Sequence, residues 1–102
     1  MIKIEITIPL FYNHGTEIEP IKFEKIHREL LRQFKRLTIS PEVKGYWINE
    51  KIQYIDINKI YSIIMQDTKD NISWITGYKK WLEHNLEQKE IFITKSEVDI
   101  IK

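Results

Sequence analysis

Cysteine is absent from the 102 residues. That excludes a disulfide framework, thiolate zinc sites and a cysteine nucleophile. Alanine is absent as well, and valine occurs twice against 21 isoleucines. With abundant Lys and Asn alongside, this apolar supply fits an AT-rich genome, so the isoleucine excess is given no structural weight. Glycine is scarce: Gly15, Gly45 and Gly77 form no phosphate-cradling loop. No serine sits in a nucleophile-elbow motif. The three histidines, His14, His27 and His84, are scattered, with no H-x-x-x-H or H-E-x-x-H spacing. No metal site and no cofactor is therefore expected. No apolar run approaches the roughly 18 residues of a membrane span. The first residues alternate Ile with Lys, Glu and Thr rather than forming the apolar stretch of a signal peptide. The expectation is a soluble, cytoplasmic protein without a membrane partner, in which the Asn71-Ile72-Ser73 glycosylation triplet is fortuitous.

What is present suits a folded domain. Hydrophobic residues make up 42% and charged residues 30% of the chain, ordinary values for a globular protein. Residues 1–102 read as a single domain, one that buries roughly 60–65% of its unfolded surface and needs no metal or disulfide. The net charge of +1 argues for no polyanionic partner by itself. It is unevenly spread, however. Lys22, Lys25, Arg28, Arg32, Lys35 and Arg36 face only Glu24 and Glu29 between residues 20 and 37.

Along the chain, Ile2, Ile4, Ile6 and Ile8 alternate with Lys3, Glu5 and Thr7, the mark of a strand with one buried face. Pro20 opens a helix, predicted over 20–37, whose inward stripe is Phe23, Ile26, Leu30, Phe34 and Leu37. Val43–Ile48 and Lys51–Tyr54 read as strands joined by a turn at Asn49-Glu50. Ile60 to Met65 is nearly all apolar and reads as a central strand, with a bulge or bend expected at Asp56 and Asn58. Asp67 to Asp70 supplies N-caps for a second helix through about Leu86. Gly77 costs that helix about 1 kcal/mol, which suggests close packing there. Glu90–Thr94 and Val98–Ile101 read as a last strand broken at Lys95-Ser96. The order strand, helix, strand, strand, helix, strand is the βαββαβ arrangement of ferredoxin-like folds. It predicts an α+β domain with a four-stranded, mostly antiparallel sheet and two helices on one face.

Three groups of residues offer chemistry. The row Lys25, Arg28, Arg32 and Lys35 on the first helix is the candidate nucleic-acid surface, although a solvated face is the usual explanation of such a row and Glu24 and Glu29 interrupt it. The helical stripe Trp74, Tyr78 and Trp81, with Tyr46, is the candidate interface between copies; the competing reading of that stripe is core. Tyr12, His14, Tyr46 and Trp47 could surround a small-molecule or catalytic pocket. No catalytic residue is identified, and a binding role is expected before an enzymatic one. In "GYWINEKIQYID", residues 45–56, Trp47 is expected to be the buried ring and Tyr46 the exposed one, with Tyr54 as its neighbour.

The run "FKRLTISPEVKGYW", followed by "IYSIIMQD" and "LEQKEIFI", resembles small uncharacterised prokaryotic proteins of ferredoxin-like fold. Their pattern is F-G-G-L-T, G-x-W, a hydrophobic strand ending in Asp, then Q-x-x-I. Phe34, Leu37, Thr38, Gly45, Trp47, Asp67, Gln88 and Ile91 match across residues 30–93, with Lys35-Arg36 replacing the glycine pair. The resemblance implies the fold and no assigned activity. The resulting expectation is a self-associating binding domain, taken as a homodimer. Nucleic-acid binding through the helix 20–37 is the second reading, and a small-molecule ligand of unspecified kind the third.

Overall fold

Period-two alternation becomes a central strand. In the computed structural model, which describes residues 1–102, β1 (Ile2–Pro9) buries Ile2, Ile4, Ile6 and Ile8 completely while Lys3, Glu5 and Thr7 stay half-exposed. Each of those isoleucines contributes about 1.5–3 kcal/mol by leaving water. The remaining elements follow as α1 (Pro20–Phe34), β2 (Thr38–Ile39), β3 (Val43–Asn49), β4 (Ile52–Met65), α2 (Lys69–Asn85) and β5 (Phe92–Glu97). All strand pairings are antiparallel, in the order β2-β4-β1-β5, with β3 on β4. This is the expected α+β, ferredoxin-like βαββαβ fold. The two-residue β2 makes the sheet five-stranded rather than four-stranded.

The core lies between one sheet face and the two helices. Ile26 and Leu30 of α1, and Ile75, Tyr78 and Leu82 of α2, join the β1 isoleucines and Tyr61, Ile63 and Met65 of β4 in one cluster. No polar or charged residue is fully buried. Helix α1 stops at Phe34, short of the predicted end. Lys35 adopts a left-handed conformation (φ 67°), and its N–H donates to the Leu31 carbonyl, closing the last turn. Thr68 caps α2 by accepting the Asn71 N–H at 3.1 Å. Gly77 is not a close-packing site: a Cβ added there meets nothing within 4 Å.

Three local expectations change. The register of β3 on β4 runs unbroken from Val43↔Asn58 to Asn49↔Ile52, so Asp56 and Asn58 form no bulge. The turn falls on Glu50 and Lys51, both left-handed (φ 50° and 74°), as a two-residue primed turn requires. β5 runs straight through Lys95-Ser96 as Phe92–Glu97, and residues 98–102 have no regular structure.

Length then dictates shape. β4 has 14 residues, about 46 Å at strand rise, whereas the 15 residues of α1 span only about 22 Å. The C-terminal half of β4 lies in the sheet against β1. Its N-terminal half runs past both helices with β3 as a two-stranded arm, and the molecule measures 45 × 29 × 24 Å.

Candidate functional site

The arm displays the large side chains that the core does not take. On β4, Tyr61, Ile63 and Met65 face the helices, so alternation places Asn58, Asp56 and Tyr54 on the opposite, open face. Cross-strand pairing carries Gly45 and Trp47 onto that same face, opposite Asp56 and Tyr54. Trp47 is therefore not the buried ring: it is 46% exposed, because it lies on the sheet face that no helix covers. Tyr46 is exposed at 60%, but its cross-strand partner is Ile55 rather than Tyr54. Tyr54 stacks instead on Trp47, with ring centroids 4.2 Å apart and planes 14° from parallel. The Trp47 indole N–H donates to Asp56 Oδ2 at 2.8 Å.

Both edges of the arm are free. The ladder of β1 on β4 ends at Pro9↔Asn58, since proline has no N–H to continue it. One further bond, Leu10 N–H to the Ile57 carbonyl at 3.0 Å, precedes the departure of the chain from the sheet. Below Ile57, β4 has no strand on that side, and β3 pairs with β4 alone.

Where β1 leaves the arm uncovered, an open cleft of about 1030 Å³ forms between the arm, the loop after β1 and the segment leading into β5. Of the residues expected around a pocket, Tyr12, Tyr46 and Trp47 line it and His14 does not. His14 is exposed, stacked on Tyr12 at 5.2 Å and bonded to Thr16. The Tyr12 hydroxyl is already engaged. It donates to Glu19 at 2.5 Å and accepts from Lys22, whose ammonium also reaches the Asn85 carbonyl at 3.0 Å. The hydrogen bond to Glu19 raises the Tyr12 pKa above that of an ordinary phenol, and the same bond lowers that of Glu19. This network ties the loop to α1 and to the end of α2.

The helical candidates lie elsewhere. Lys25, Arg28, Arg32 and Lys35 are all exposed. Lys25 sits over the Trp81 ring at 5.3 Å, and Lys35 lies beyond the helix end. Trp74, Tyr78 and Trp81 form a continuous stack, at 4.7 and 5.4 Å, with Phe34 edge-on to Trp74. Phe34 and Lys25 belong to α1, so these rings fill the seam between the two helices. Tyr78 is 6% exposed and is a core residue rather than an interface residue. Trp74 and Trp81 are half-buried within the chain. Burial pushes the Tyr78 hydroxyl pKa far up, with Glu29 adding to the effect.

Sequence reasoning did not place Asp56 beside Trp47 at the cleft, and it missed Glu90 and Phe92 there. The cross-strand pairing of Trp47 with Tyr54 and of Gly45 with Asp56 was the available signal, and it needed the correct turn. No helix is long and apolar enough to cross a membrane.

No protein-family model matches the sequence, and no curated protein matches it. Solved structures do match in shape. A point mutant of CutA1 from Pyrococcus horikoshii OT3 superposes with a TM-score of 0.63 at 14% identity, covering 100% of this chain and 87% of the other. CutA from the same organism in 3 M guanidine hydrochloride gives 0.63 at 14% identity, over 100% and 88% of the two chains. A phage SAM lyase in complex with S-methyl-5'-thioadenosine gives 0.68 at 10% identity, over 94% and 80%. At such identities the likeness is one of fold.

Proposed function

We propose that the chain is a self-associating binding domain in which the β3–β4 arm carries the contact between copies. The observation behind this reading is a two-stranded arm that is apolar on both faces and unpaired on both edges. Tyr46 (60%) and Ile55 (57%) are exposed on one face with Ile48 (73%), and Trp47 and Tyr54 on the other. An open strand edge with large apolar side chains is a template for another chain, and monomeric proteins guard such edges with charge, proline or a bulge. Here the edge has no bulge, and beyond Lys44 and Asp56 its exposed side chains are largely aromatic and branched. Strand addition supplies affinity through main-chain hydrogen bonds, while alternate side chains fit the partner's surface. A second copy presents the same arm and the same apolar faces, so the contact is self-complementary as a twofold interface requires.

Light scattering over a concentration series tests this. The wild-type protein is expected to exceed monomer mass at tens of micromolar. Tyr46→Lys with Ile55→Lys, two exposed cross-strand partners outside the core, should return it to monomer with an unchanged far-UV CD spectrum. A wild-type protein still monomeric at several hundred micromolar ends the reading.

A further inference from the structure

The cleft at the base of the arm has a lining of one electrostatic kind. Its rings include Trp47, Tyr54 and Phe92, its acids are Asp56 and Glu90, and no lysine, arginine or histidine lines it. From this composition we infer that the cleft is a binding site for a planar organic cation, a ligand carrying a fixed positive charge on or beside an aromatic ring. The claim is independent of self-association: it concerns the chemistry of one chain's surface.

Three features carry it. First, Trp47 and Tyr54 are stacked face to face, with centroids 4.2 Å apart and planes 14° from parallel, and both remain partly exposed, so an outer ring face is open for a flat ligand to extend the stack. They offer a rigid ring surface that a flat ligand can cover with no rearrangement of the protein. Phe92, 64% exposed, stands beside Thr7 on the neighbouring strands and gives the cleft an apolar wall on the β5 side. Second, a cation over a tryptophan or tyrosine face is attracted by the ring quadrupole, most strongly once desolvated. Third, Asp56 lies at the edge of this surface, its Oδ2 fixed by the indole N–H at 2.8 Å. Its second oxygen is left to meet the charge. The nearby lysines offset Glu90 in part and leave Asp56 outside any ion pair. Lys79 contacts Glu90 at 3.6 Å but is held mainly by Glu83 at 2.6 Å. Lys22 is matched by Glu19 at 3.4 Å. Phosphate-bearing ligands are disfavoured by the same lining, which sets two carboxylates and no cationic side chain around them. At about 1030 Å³ the space is ample for a bicyclic molecule.

The test uses three probes of one shape and different charge at pH 7.5: 1-methylquinolinium, quinoline and quinoline-4-carboxylate. Each is titrated into the isotopically labelled full-length protein, and the Trp47 indole N–H resonance is followed. The cation should saturate this resonance, bind about tenfold or more tightly than quinoline, as a cation–π contact plus one carboxylate implies, and leave the carboxylate analogue without effect. Asp56→Asn, which keeps an oxygen for the indole N–H, should cut the preference for the cation over quinoline several-fold. Equal affinity for cation and neutral probe overturns the inference, as does the absence of a saturable Trp47 shift at millimolar 1-methylquinolinium. The wild-type comparison stands alone if the Asp56 variant fails to fold.

Discussion

Gly77 illustrates how a single residue can be read wrongly from sequence and put to use from structure. A glycine inside a helix costs about 1 kcal/mol relative to alanine through backbone entropy, and its presence suggests that a methyl group would not fit. In the folded chain its position is exposed, and an added Cβ meets nothing within 4 Å. Gly77→Ala should therefore stabilise the protein by about 0.5–1 kcal/mol, raising Tm by a few degrees for a domain of this size. Thermal unfolding followed by CD checks this, and an unchanged or lower Tm shows that the glycine has another role. Tyr78, one residue on, is the opposite case. Its hydroxyl is buried without a hydrogen-bond partner, as is Oε1 of Glu29. Such groups normally find partners because the desolvation cost is about 1–3 kcal/mol. The burial of these two groups explains why the Tyr78 proton is held so strongly. Aromatic stacking between Trp74 and Trp81 offsets part of that cost.

At the scale of elements, the junction of α2 with β5 depends on two charged side chains of the helix. Lys79 Nζ donates to Glu83 at 2.6 Å and to the Ile91 carbonyl at 2.8 Å, while Glu83 accepts the Ile91 N–H at 3.0 Å. Both backbone groups of Ile91 are thus satisfied by α2, which sets where β5 begins. Glu83 is held below its usual pKa of 4.5 by Lys79 and then by the Ile91 N–H. Lys79 is raised above 10.5, chiefly by Glu83. A lowered carboxylate adds stability above its unfolded pKa and loses it as pH falls through the folded value. A raised lysine adds stability below its unfolded pKa and loses it as pH rises through the folded one. Urea midpoints should therefore be highest between about pH 5 and 10 and fall on both sides. Glu83→Gln should lower the plateau and flatten part of the acid limb, Glu19 retaining the rest. An acid limb identical to that of the wild type would show that the clamp contributes nothing. These elements were largely legible in the chain itself. The isoleucine alternation located β1, and the stripes Ile26–Leu30 and Ile75–Tyr78–Leu82 located the helices, because periodicity reports burial directly. The clamp was not legible, since Lys79 and Glu83 sit at an ordinary helical i,i+4 spacing and only the fold brings Ile91 to them. The aromatic arm was misjudged for a related reason. Alternation fixes which side chains share a face but not whether a helix covers it, so Trp47 read as core. One-residue placement of the turn also mattered: a turn at Asn49-Glu50 sets Tyr54 opposite Gly45, whereas the turn at Glu50-Lys51 sets it opposite Trp47.

For the whole molecule, the decisive quantity is the mismatch between a β4 strand of about 46 Å and helices of about 22–25 Å. Those lengths were available from sequence once Asp56 and Asn58 are placed within the strand instead of at a break. The mismatch leaves residues 43–57 as a two-stranded ribbon without a covering layer, and isolated ribbons are at best marginally stable in water. Stacking of Trp47 on Tyr54 and the primed turn at Glu50-Lys51 support the ribbon from within, yet both turn residues are non-glycine in left-handed conformation, which is itself unfavourable. On the proposed reading, order in the arm is tied to association between copies, and so is part of the molecule's stability. If copies pair through it, the folded state is favoured by mass action, by roughly 1.4 kcal/mol of dimer for each tenfold rise in concentration. Tm should climb by a few degrees per decade of protein concentration for the wild type and stay constant for the Tyr46→Lys, Ile55→Lys variant. Amide exchange offers the matching local readout. Arm amides should exchange much more slowly at high concentration than in the monomeric variant, while those of β1, sealed between β4 and β5, should exchange at similar rates in both. A concentration-independent Tm, with arm amides as protected as those of β1, would mean that the ribbon stands on its own and that its exposed rings make no contact between copies.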